Sequence, residues 1–193
     1  MSEGGDTVAS ETLHLFQYGS NMARDRFIER IQRFYERYAP PGTPIRVTLL
    51  GAARLPDWRL HANLWSANRG CRVVNIIEEP GAEVWGALYE LPTALVNRPD
   101  GARSLVDRLE GHRTTSDPEN YEKVEVIAEL DGRSTRAWTY VGLAEAVERC
   151  ERDYPASMCD TEYIGAVLDG AKAIGLPAGY VSALRKTLVG PTP

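Results

Sequence analysis

The sequence lacks the motifs that would assign it to several large functional classes. It contains no Gly-x-Gly-x-x-Gly or Walker motif, so nothing in it supports a nucleotide cofactor. Its three cysteines are widely spaced, with no Cys-x-x-Cys and no histidine at metal-ligand spacing, which favours reduced thiols over a disulfide or a zinc site. No apolar run approaches the roughly 18 residues of a membrane span, and no basic-then-apolar signal opens the chain. We therefore expect a cytoplasmic protein with reduced cysteines, no zinc site and no nucleotide cofactor.

The charge balance is mildly acidic. The 193 residues include 22 basic and 27 acidic side chains, for a net charge of −5, and 43% of the residues are apolar. Because affinity for phosphate groups needs clustered lysine and arginine, we expect neither nucleic acid nor an anionic membrane as the partner. Small-molecule and protein partners remain, and the sequence leaves open whether the protein forms a homodimer.

The order of apolar patterns predicts one α+β domain. Residues 1–12 are polar and glycine-rich and are expected to form a flexible tail, followed by a single domain over residues 13–193. Strands dominate the middle of the chain and helices its end, which favours a mixed sheet that curls into a small barrel. The expected strands are 13–18, 45–53, 59–65, 71–77, 83–91, 121–130 and 133–141, the expected helices 22–38, 101–110, 143–152, 161–173 and 177–188. Residues 71–77 and 83–91 are expected to pair with each other, and Asp131-Gly132 is the strongest hairpin signal.

The turn Tyr18-Gly19-Ser20-Asn21 is the first candidate site. It joins a strand to a helix that Ser20 or Asn21 is expected to cap, so several backbone N–H groups would converge there with the positive end of the helix dipole. Such a turn can hold an anion or an oxyanion. An ordinary capped turn is the plainer alternative. A nucleophilic role for Ser20 has little support, because the Gly-x-Ser-x-Gly elbow is absent.

Glu110 is the second candidate. It follows Asp107 by three residues at the end of a short helix, so partial burial and a like charge are expected to raise its pKa and to make it a general acid/base. The plainer alternative is a solvated glutamate before a glycine helix cap at Gly111. His112, two residues further on, could join the same site.

An ordered set of short motifs resembles the γ-glutamylcyclotransferase family. The set runs from about residue 13 to residue 188 and consists of Tyr18-Gly19-Ser20-Asn21, Ala53-Arg54-Leu55-Pro56-Asp57-Trp58-Arg59-Leu60, Glu83-Val84-Trp85-Gly86, Asp107-x-x-Glu110-Gly111 with Tyr121 and Tyr140, Glu162-Tyr163, Gly170-Ala171-Lys172 and Gly175-Leu176-Pro177.

The resemblance implies a small mixed β-barrel with flanking helices. It also implies a reaction that needs no metal or cofactor, in which a γ-glutamyl amide is split into 5-oxoproline and a free amine. By the same similarity Glu110 matches the catalytic acid/base, and Tyr163 matches a tyrosine that contacts the substrate. The residues that match the segment cradling the γ-glutamyl group are Leu15, Phe16, Gln17, Tyr18, Gly19 and Ser20.

The residues leave several alternatives open. The polar loop 112–120 is longer than expected for the vertebrate-type enzyme, so the leaving group could be an amino acid, a glutathione fragment or a biosynthetic intermediate released from a γ-glutamyl protecting group. Tyr163 could equally pack in the core, since apolar residues follow it at helical spacing. Two other functional hypotheses remain. One is a binding protein that keeps the fold without turnover, and the other is a hydrolase or amidotransferase that uses Glu110 and His112.

Overall fold

Five strands close into a barrel in the order β1-β3-β2-β4-β5, with the helices packed around it. The structure is a computed structural model that describes residues 11–98, 100–110, 120–155 and 158–189. The strands are β1 Thr12–Gln17, β2 Thr48–Ser66, β3 Cys71–Pro92, β4 Tyr121–Leu130 and β5 Arg133–Gly142, and the helices are α1 Arg24–Tyr38, α2 Thr93–Val96, α3 Leu105–Leu109, α4 Ala144–Asp153, α5 Thr161–Ala173 and α6 Ala178–Val189. The predicted α+β class with a small barrel and flanking helices is confirmed.

The middle of the chain folds into two long strands, where the sequence predicted four shorter ones. β2 and β3 form one antiparallel hairpin whose end pairs Ser66 with Cys71, so residues 71–77 and 83–91 belong to a single strand and do not pair with each other. The register shifts opposite Asp57, which adopts a φ of +62°, and the N–H of Gly81 donates to Asp57 Oδ1 at 2.8 Å. The Pro80-Gly81 signal therefore marks a bulge inside a continuous strand, since bulges use the same residue types as turns.

The barrel closes through β1. This strand pairs antiparallel with β3 over six residue pairs, from Thr12 opposite Pro92 to Gln17 opposite Ala87. Its other side meets β5 in parallel register at Leu15 and Trp138, which makes the sheet mixed. Fully buried side chains, among them Leu15, Phe16 and Tyr89, fill the interior. The exit of β1 is thereby held at one end of the barrel.

The hairpin of β4 and β5 agrees with its prediction. Asp131 and Gly132 have φ angles of +51° and +75°, the pair of positive values that a tight hairpin turn with right-handed strand twist requires. The three predicted C-terminal helices are likewise present as α4, α5 and α6. These elements depend on local signals, which explains the agreement.

Helix α1 begins later than the sequence predicted. Its N-cap is Ala23, which makes no side-chain cap bond, so neither Ser20 nor Asn21 caps the helix. Residues 18–21 instead form a turn (the 18–21 turn below) in which the N–H of Met22 donates to Gly19 O at 3.1 Å. The side chain of Asn21 is thus available for a contact elsewhere.

Two further differences concern the ends of elements. The helix expected over 101–110 is the five-residue α3, and the short α2 was not predicted. Residues 1–10 of the predicted tail lie outside the described residues, whereas Thr12 already belongs to β1. None of the helices described here is long and apolar enough to cross a membrane.

Candidate active site

A cleft of about 990 Å³ opens at the end of the barrel where β1 ends and the hairpin of β2 and β3 turns. It brings together most of the predicted site residues, which are Gln17, Tyr18, Gly19, Ser20, Glu110 and Tyr163. Leu15 and Phe16 are placed differently: their side chains are fully buried in the barrel core and do not line the cleft. Any contribution of these two residues to binding therefore comes through the position they give to β1.

Glu110 reaches the cleft because α3 is only five residues long and its first turn is fixed by a helix cap. Ser104 caps the helix in a capping box with Asp107, and the N–H of Glu110 makes the last turn bond, to Val106 O at 3.0 Å. The half-buried carboxylate then accepts two hydrogen bonds on Oε1, from Gln17 Nε2 at 3.0 Å and from Asn21 Nδ2 at 2.7 Å. Two donors from the exit of β1 thus hold the orientation of this carboxylate.

Asp107 does not act as the free like charge that the sequence suggested beside Glu110. Its Oδ1 accepts from the Tyr140 hydroxyl at 2.7 Å and pairs with Lys123 Nζ at 3.1 Å, and its Oδ2 accepts from the Ser104 N–H at 2.7 Å. Burial opposes ionisation of this carboxyl, but the hydrogen bonds from Tyr140 and Ser104 outweigh it and lower its pKa. Asp107 therefore supports the helix that carries Glu110, and a raised pKa of Glu110 stays a prediction.

The 18–21 turn packs tightly against β3. A Cβ atom on Gly19 would lie 3.1 Å from Val74 Cγ2 and 3.5 Å from the Tyr163 hydroxyl. Beneath the turn, a Cβ atom on Gly86 would lie only 2.4 Å from the carbonyl oxygen of Gln17. Glycine at these two positions lets the backbone of β1 and its turn pack directly on neighbouring elements.

Tyr163 joins the cleft to the core. Asp160 caps α5 by accepting from the Tyr163 N–H at 2.6 Å, which fixes where the helix begins. The tyrosine side chain is buried, and its hydroxyl accepts a hydrogen bond from the Val74 N–H at 3.1 Å. The guanidinium of Arg69 lies 5.2 Å from the ring centroid. Tyr163 therefore has a structural role in the barrel as well as a place on the cleft wall.

The tyrosines of the cleft are poor proton acceptors. Burial raises the pKa of Tyr18, Tyr121, Tyr140 and Tyr163 above the ordinary value. These phenols are protonated at neutral pH. The Tyr18 and Tyr140 hydroxyls already donate within the protein, to Tyr140 O and Asp107 Oδ1, whereas the Tyr163 hydroxyl accepts from the Val74 N–H and can donate to a ligand. Among the described residues that line the cleft, the other carboxylates are Glu29 and Glu162, whose side chains are 68% and 80% exposed. Glu110 is therefore the carboxylate placed for proton transfer in a sheltered position.

The cleft is basic although the chain is acidic. The described lining residues include six arginines, which are Arg26, Arg30, Arg33, Arg69, Arg108 and Arg149, against three glutamates. The sequence predicted Asn21 only as a possible helix cap within the candidate turn, and it did not predict Arg30 or Arg69 as site residues. A signal existed for part of this set, because Arg26, Arg30, Arg33 and Arg37 recur at the spacing that places them on one face of a helix.

The described residues neither place a histidine beside Ser20 nor assemble a metal site. The described histidines, His14 and His61, do not line the cleft, so neither is positioned to activate Ser20. The predicted partner His112, with Gly111 and most of the polar loop, lies outside the described residues. Within the described ranges no three or more His, Cys, Asp or Glu side chains form a group that could hold a metal ion.

One family model matches most of the chain. A family model described as "Gamma-glutamyl cyclotransferase, AIG2-like" matches residues 15–160. No curated protein sequence matches the chain. The matched range begins within β1, contains β2 to β5, Glu110 and the capping residue Asp160, and ends before Tyr163.

Several solved structures share the fold. One, a gamma-glutamyl cyclotransferase, is 22% identical with a TM-score of 0.67, covering 94% of this chain and 90% of its own. The protein YkqA from Bacillus subtilis is 19% identical with a TM-score of 0.64, over 92% of this chain and 54% of its own. A gamma-glutamyl cyclotransferase specific to glutathione, from yeast, is 14% identical with a TM-score of 0.51, over 92% of this chain and 98% of its own. At these identities the similarity concerns the fold.

Proposed function

The chain belongs to the gamma-glutamyl cyclotransferase, AIG2-like family, and from this premise we propose that it converts a γ-glutamyl amide into 5-oxoproline and a free amine. In this reaction the α-amine of the glutamyl group attacks its own γ-carbonyl carbon. A new C–N bond closes the five-membered ring, the original amide C–N bond breaks, and the proton lost by the attacking amine is gained by the leaving amine. The observation that supports this proposal most directly is the carboxylate of Glu110, held by Gln17 and Asn21 on the wall of the cleft.

The first requirement of the reaction is a folded substrate. The glutamyl chain must bend until its amine lies near its γ-carbonyl carbon, and fixing that conformation supplies much of the rate enhancement of an intramolecular reaction. The 18–21 turn, Val74 and Tyr163 form a narrow wall that can enclose the short glutamyl chain. Because the substrate carries its own nucleophile, the protein needs no activated serine or cysteine.

The second requirement is one group that accepts a proton and later returns it. The ionised carboxylate of Glu110 removes a proton from the α-ammonium, and the carboxylic acid formed protonates the departing amine. The hydrogen bonds on Oε1 hold the carboxylate in place during both transfers. The phenols of the cleft are unsuited to this role, since burial raises their pKa values.

The third requirement is stabilisation of negative charge. The γ-carbonyl oxygen becomes an oxyanion during attack, and backbone N–H groups of the 18–21 turn are proposed to donate to it. The substrate also carries a permanent α-carboxylate. Arg69 lines the cleft beside Tyr163, and its ion pairs with Asp160 and Glu162 are long, at 3.7 and 3.8 Å, so its guanidinium can turn towards that carboxylate.

The leaving amine is the open part of the proposal. A yeast structure of this fold is described as specific to glutathione, and γ-glutamyl amino acids, glutathione and γ-glutamyl-protected intermediates all contain the bond that would be broken. A mass-spectrometric screen of such amides for release of 5-oxoproline tests the reaction, and the amides that react identify the leaving amine. Parallel samples of the Glu110→Gln variant control for contaminating enzymes.

The products distinguish the alternatives. Release of 5-oxoproline with the free amine supports the cyclotransferase. Release of free glutamate from the same substrates would instead indicate hydrolysis, and tight binding of γ-glutamyl amides without turnover would indicate a binding protein on the same fold. Either of the last two results contradicts the proposed reaction.

A further inference from the structure

One half-buried guanidinium connects the two segments that build the candidate site. Arg30, on the second turn of α1, donates through Nη1 to Asn21 Oδ1 at 2.5 Å and through Nη2 to Leu109 O at 2.7 Å. Asn21 belongs to the 18–21 turn, and Leu109 is the last residue of α3, directly before Glu110. The planar fork of arginine can make both bonds at once, which a lysine ammonium at the same place cannot do with the same geometry.

The first bond decides which way the Asn21 amide faces. A carboxamide has one acceptor end and one donor end of nearly equal size, so either could point at Glu110. Arginine carries donors only, and it therefore holds Oδ1 of Asn21 towards itself. The opposite end, Nδ2, is then directed to Glu110 Oε1 at 2.7 Å. With the amide reversed, an oxygen would face the carboxylate and repel it.

The second bond holds the peptide that carries Glu110. Carbonyl groups in the last turn of a helix have no partner within the helix. Arg30 supplies one for Leu109, in a helix of only five residues. The backbone of Asn21 is anchored separately, because the Tyr89 hydroxyl lies 3.2 Å from Asn21 O and donates to Met22 O at 2.8 Å. The side-chain orientation of Asn21 therefore depends on Arg30 while its backbone does not.

We propose that Arg30 is a positioning residue: through its two bonds it orients the Asn21 amide and the Leu109–Glu110 peptide, and so sets the geometry of the catalytic carboxylate. This inference rests on the proposed function for its effect on turnover, and on the contacts alone for its effect on Asn21. Burial lowers the pKa of Arg30, while the charge of Glu110 opposes that change. Arg30 thus contacts both segments of the site, whereas Arg33 of the same helix pairs with the exposed Glu29.

The conservative variant Arg30→Lys gives the first test. It keeps the positive charge and much of the alkyl chain but cannot make both bonds in the same way. We expect kcat to fall by roughly 10- to 100-fold with KM changed less than about threefold, because a displaced carboxylate slows proton transfer more than binding. Arg37→Lys, at an exposed arginine of the same helix that does not line the cleft, is the matched control and should leave both constants unchanged. Wild-type kcat in Arg30→Lys, or a loss expressed only in KM, would overturn the proposal.

Chemical rescue provides a second measurement. In Arg30→Ala, guanidinium ions at low millimolar concentration should restore part of kcat, whereas ammonium ions should not, because only guanidinium has the two parallel donors. Equal rescue by both ions would reduce Arg30 to a source of positive charge and would overturn the positioning role.

The third measurement does not depend on activity. The side-chain amide of Asn21 gives two proton resonances in a ¹⁵N-labelled protein, and these should shift and broaden in Arg30→Lys but not in Arg37→Lys. Unchanged Asn21 resonances in Arg30→Lys would refute the orienting contact. If the wild-type protein releases no 5-oxoproline while the resonances respond as expected, the proposed function fails and the orienting contact stands.

Discussion

The side-chain amide of Asn21 donates to the carboxylate of Glu110 at 2.7 Å, across 89 positions of sequence. The contact exists because α1 begins at Arg24, so that Asn21 is left in a turn beside α3 and does not serve as a helix cap. Together with the bond from Gln17, it gives the carboxylate two donors from one short segment. The exit of β1 is thus both a wall of the cleft and the support of the carboxylate that we propose as its acid/base.

Glu110→Gln should abolish most of the proposed turnover while leaving the fold intact. Glutamine has the same size but cannot exchange a proton, so kcat should fall by roughly 10²- to 10⁴-fold. The measurement is 5-oxoproline release, with circular dichroism as the check on folding. Glu29→Gln, at an exposed carboxylate that also lines the cleft, is the control and should behave as wild type. A Glu110→Gln protein with most of its activity would remove Glu110 from the mechanism.

Gly19→Val should weaken substrate binding and should also lower stability, because the new side chain would crowd the buried Val74. A Cβ atom added at Gly19 would lie 3.1 Å from Val74 Cγ2 and 3.5 Å from the Tyr163 hydroxyl. The valine methyl groups would extend from there into the space that we propose for the glutamyl chain. We expect Kd or KM to rise by roughly tenfold or more, equivalent to ~1.4 kcal/mol. Gly165→Val is the comparison, since a Cβ atom there meets nothing within 4 Å. Equal affinity in a folded Gly19→Val protein would place the binding wall elsewhere.

Tyr163→Phe should affect both stability and kinetics. From sequence alone a purely functional hydroxyl would leave stability unchanged, but here the hydroxyl accepts from the Val74 N–H. Its removal leaves a buried donor unpaired, which costs roughly 1–3 kcal/mol of unfolding free energy. If the hydroxyl also binds the glutamyl group, kcat/KM should fall by a further roughly 2- to 10-fold, or ~0.5–1.5 kcal/mol. Denaturant titration and steady-state kinetics separate the two effects, and unchanged kinetics with lowered stability would assign Tyr163 to the core.

Arg69→Met should raise KM with little change in kcat. The variant keeps an unbranched side chain over the Tyr163 ring but removes the charge that we propose faces the substrate carboxylate. Hydrogen bonds to charged groups contribute roughly 1.5–3 kcal/mol, so KM should rise by about tenfold or more. Competition by 5-oxoproline and by its uncharged amide provides the sharper readout. The wild-type protein should prefer the carboxylate, and an equal preference in wild type and Arg69→Met would exclude this role.

Asp107 should make the stability of the protein depend on pH in the acidic range. Its pKa in the folded state is lower than its value of about 3.9 in the unfolded chain, so its ionised form contributes stability above that pH. The contribution is lost as the pH falls from about 4 through the lower folded-state pKa. Asp107→Asn should be less stable at pH 7 and should lose less stability on acidification. Urea midpoints between pH 7 and pH 3 measure both, with Asp169→Asn at an exposed carboxylate as control. Parallel pH profiles for wild type and Asp107→Asn would contradict this account.

Local signals in the sequence were sufficient for some elements and misleading for others. Asp131-Gly132 predicts its hairpin because two residues with positive φ suit that turn in any context. Pro80-Gly81 carries a similar signal but forms a bulge, because β2 continues on the opposite side and pairs with residues on both flanks. Nothing local distinguishes the two cases, since the difference lies in the partner strand.

The sequence predicted those parts of the candidate site that lie in short local motifs. Glu110 and the 18–21 turn emerged from ordered motifs and lie on one cleft. Asn21 was expected to cap a helix, and Arg30 was not singled out, because their roles depend on contacts with α3 that are 79 to 89 positions away. A turn amide and a helix arginine are common on protein surfaces, and only the tertiary structure brings them to a carboxylate.

The strand that carries the 18–21 turn is held unequally on its two sides. β1 shares six residue pairs with β3 but one backbone pair, Leu15 with Trp138, with β5. Three side chains cross that second boundary: the Thr139 hydroxyl donates to Phe16 O at 3.0 Å, the Tyr18 hydroxyl donates to Tyr140 O at 2.6 Å, and His14 Nδ1 lies 3.3 Å from Arg136 O. Local opening of the barrel should therefore begin there, with amide hydrogens of β5 next to β1 exchanging faster than those between β1 and β3. A ligand in contact with both Tyr18 and Tyr140 would close this boundary, so substrate binding would tighten the barrel itself.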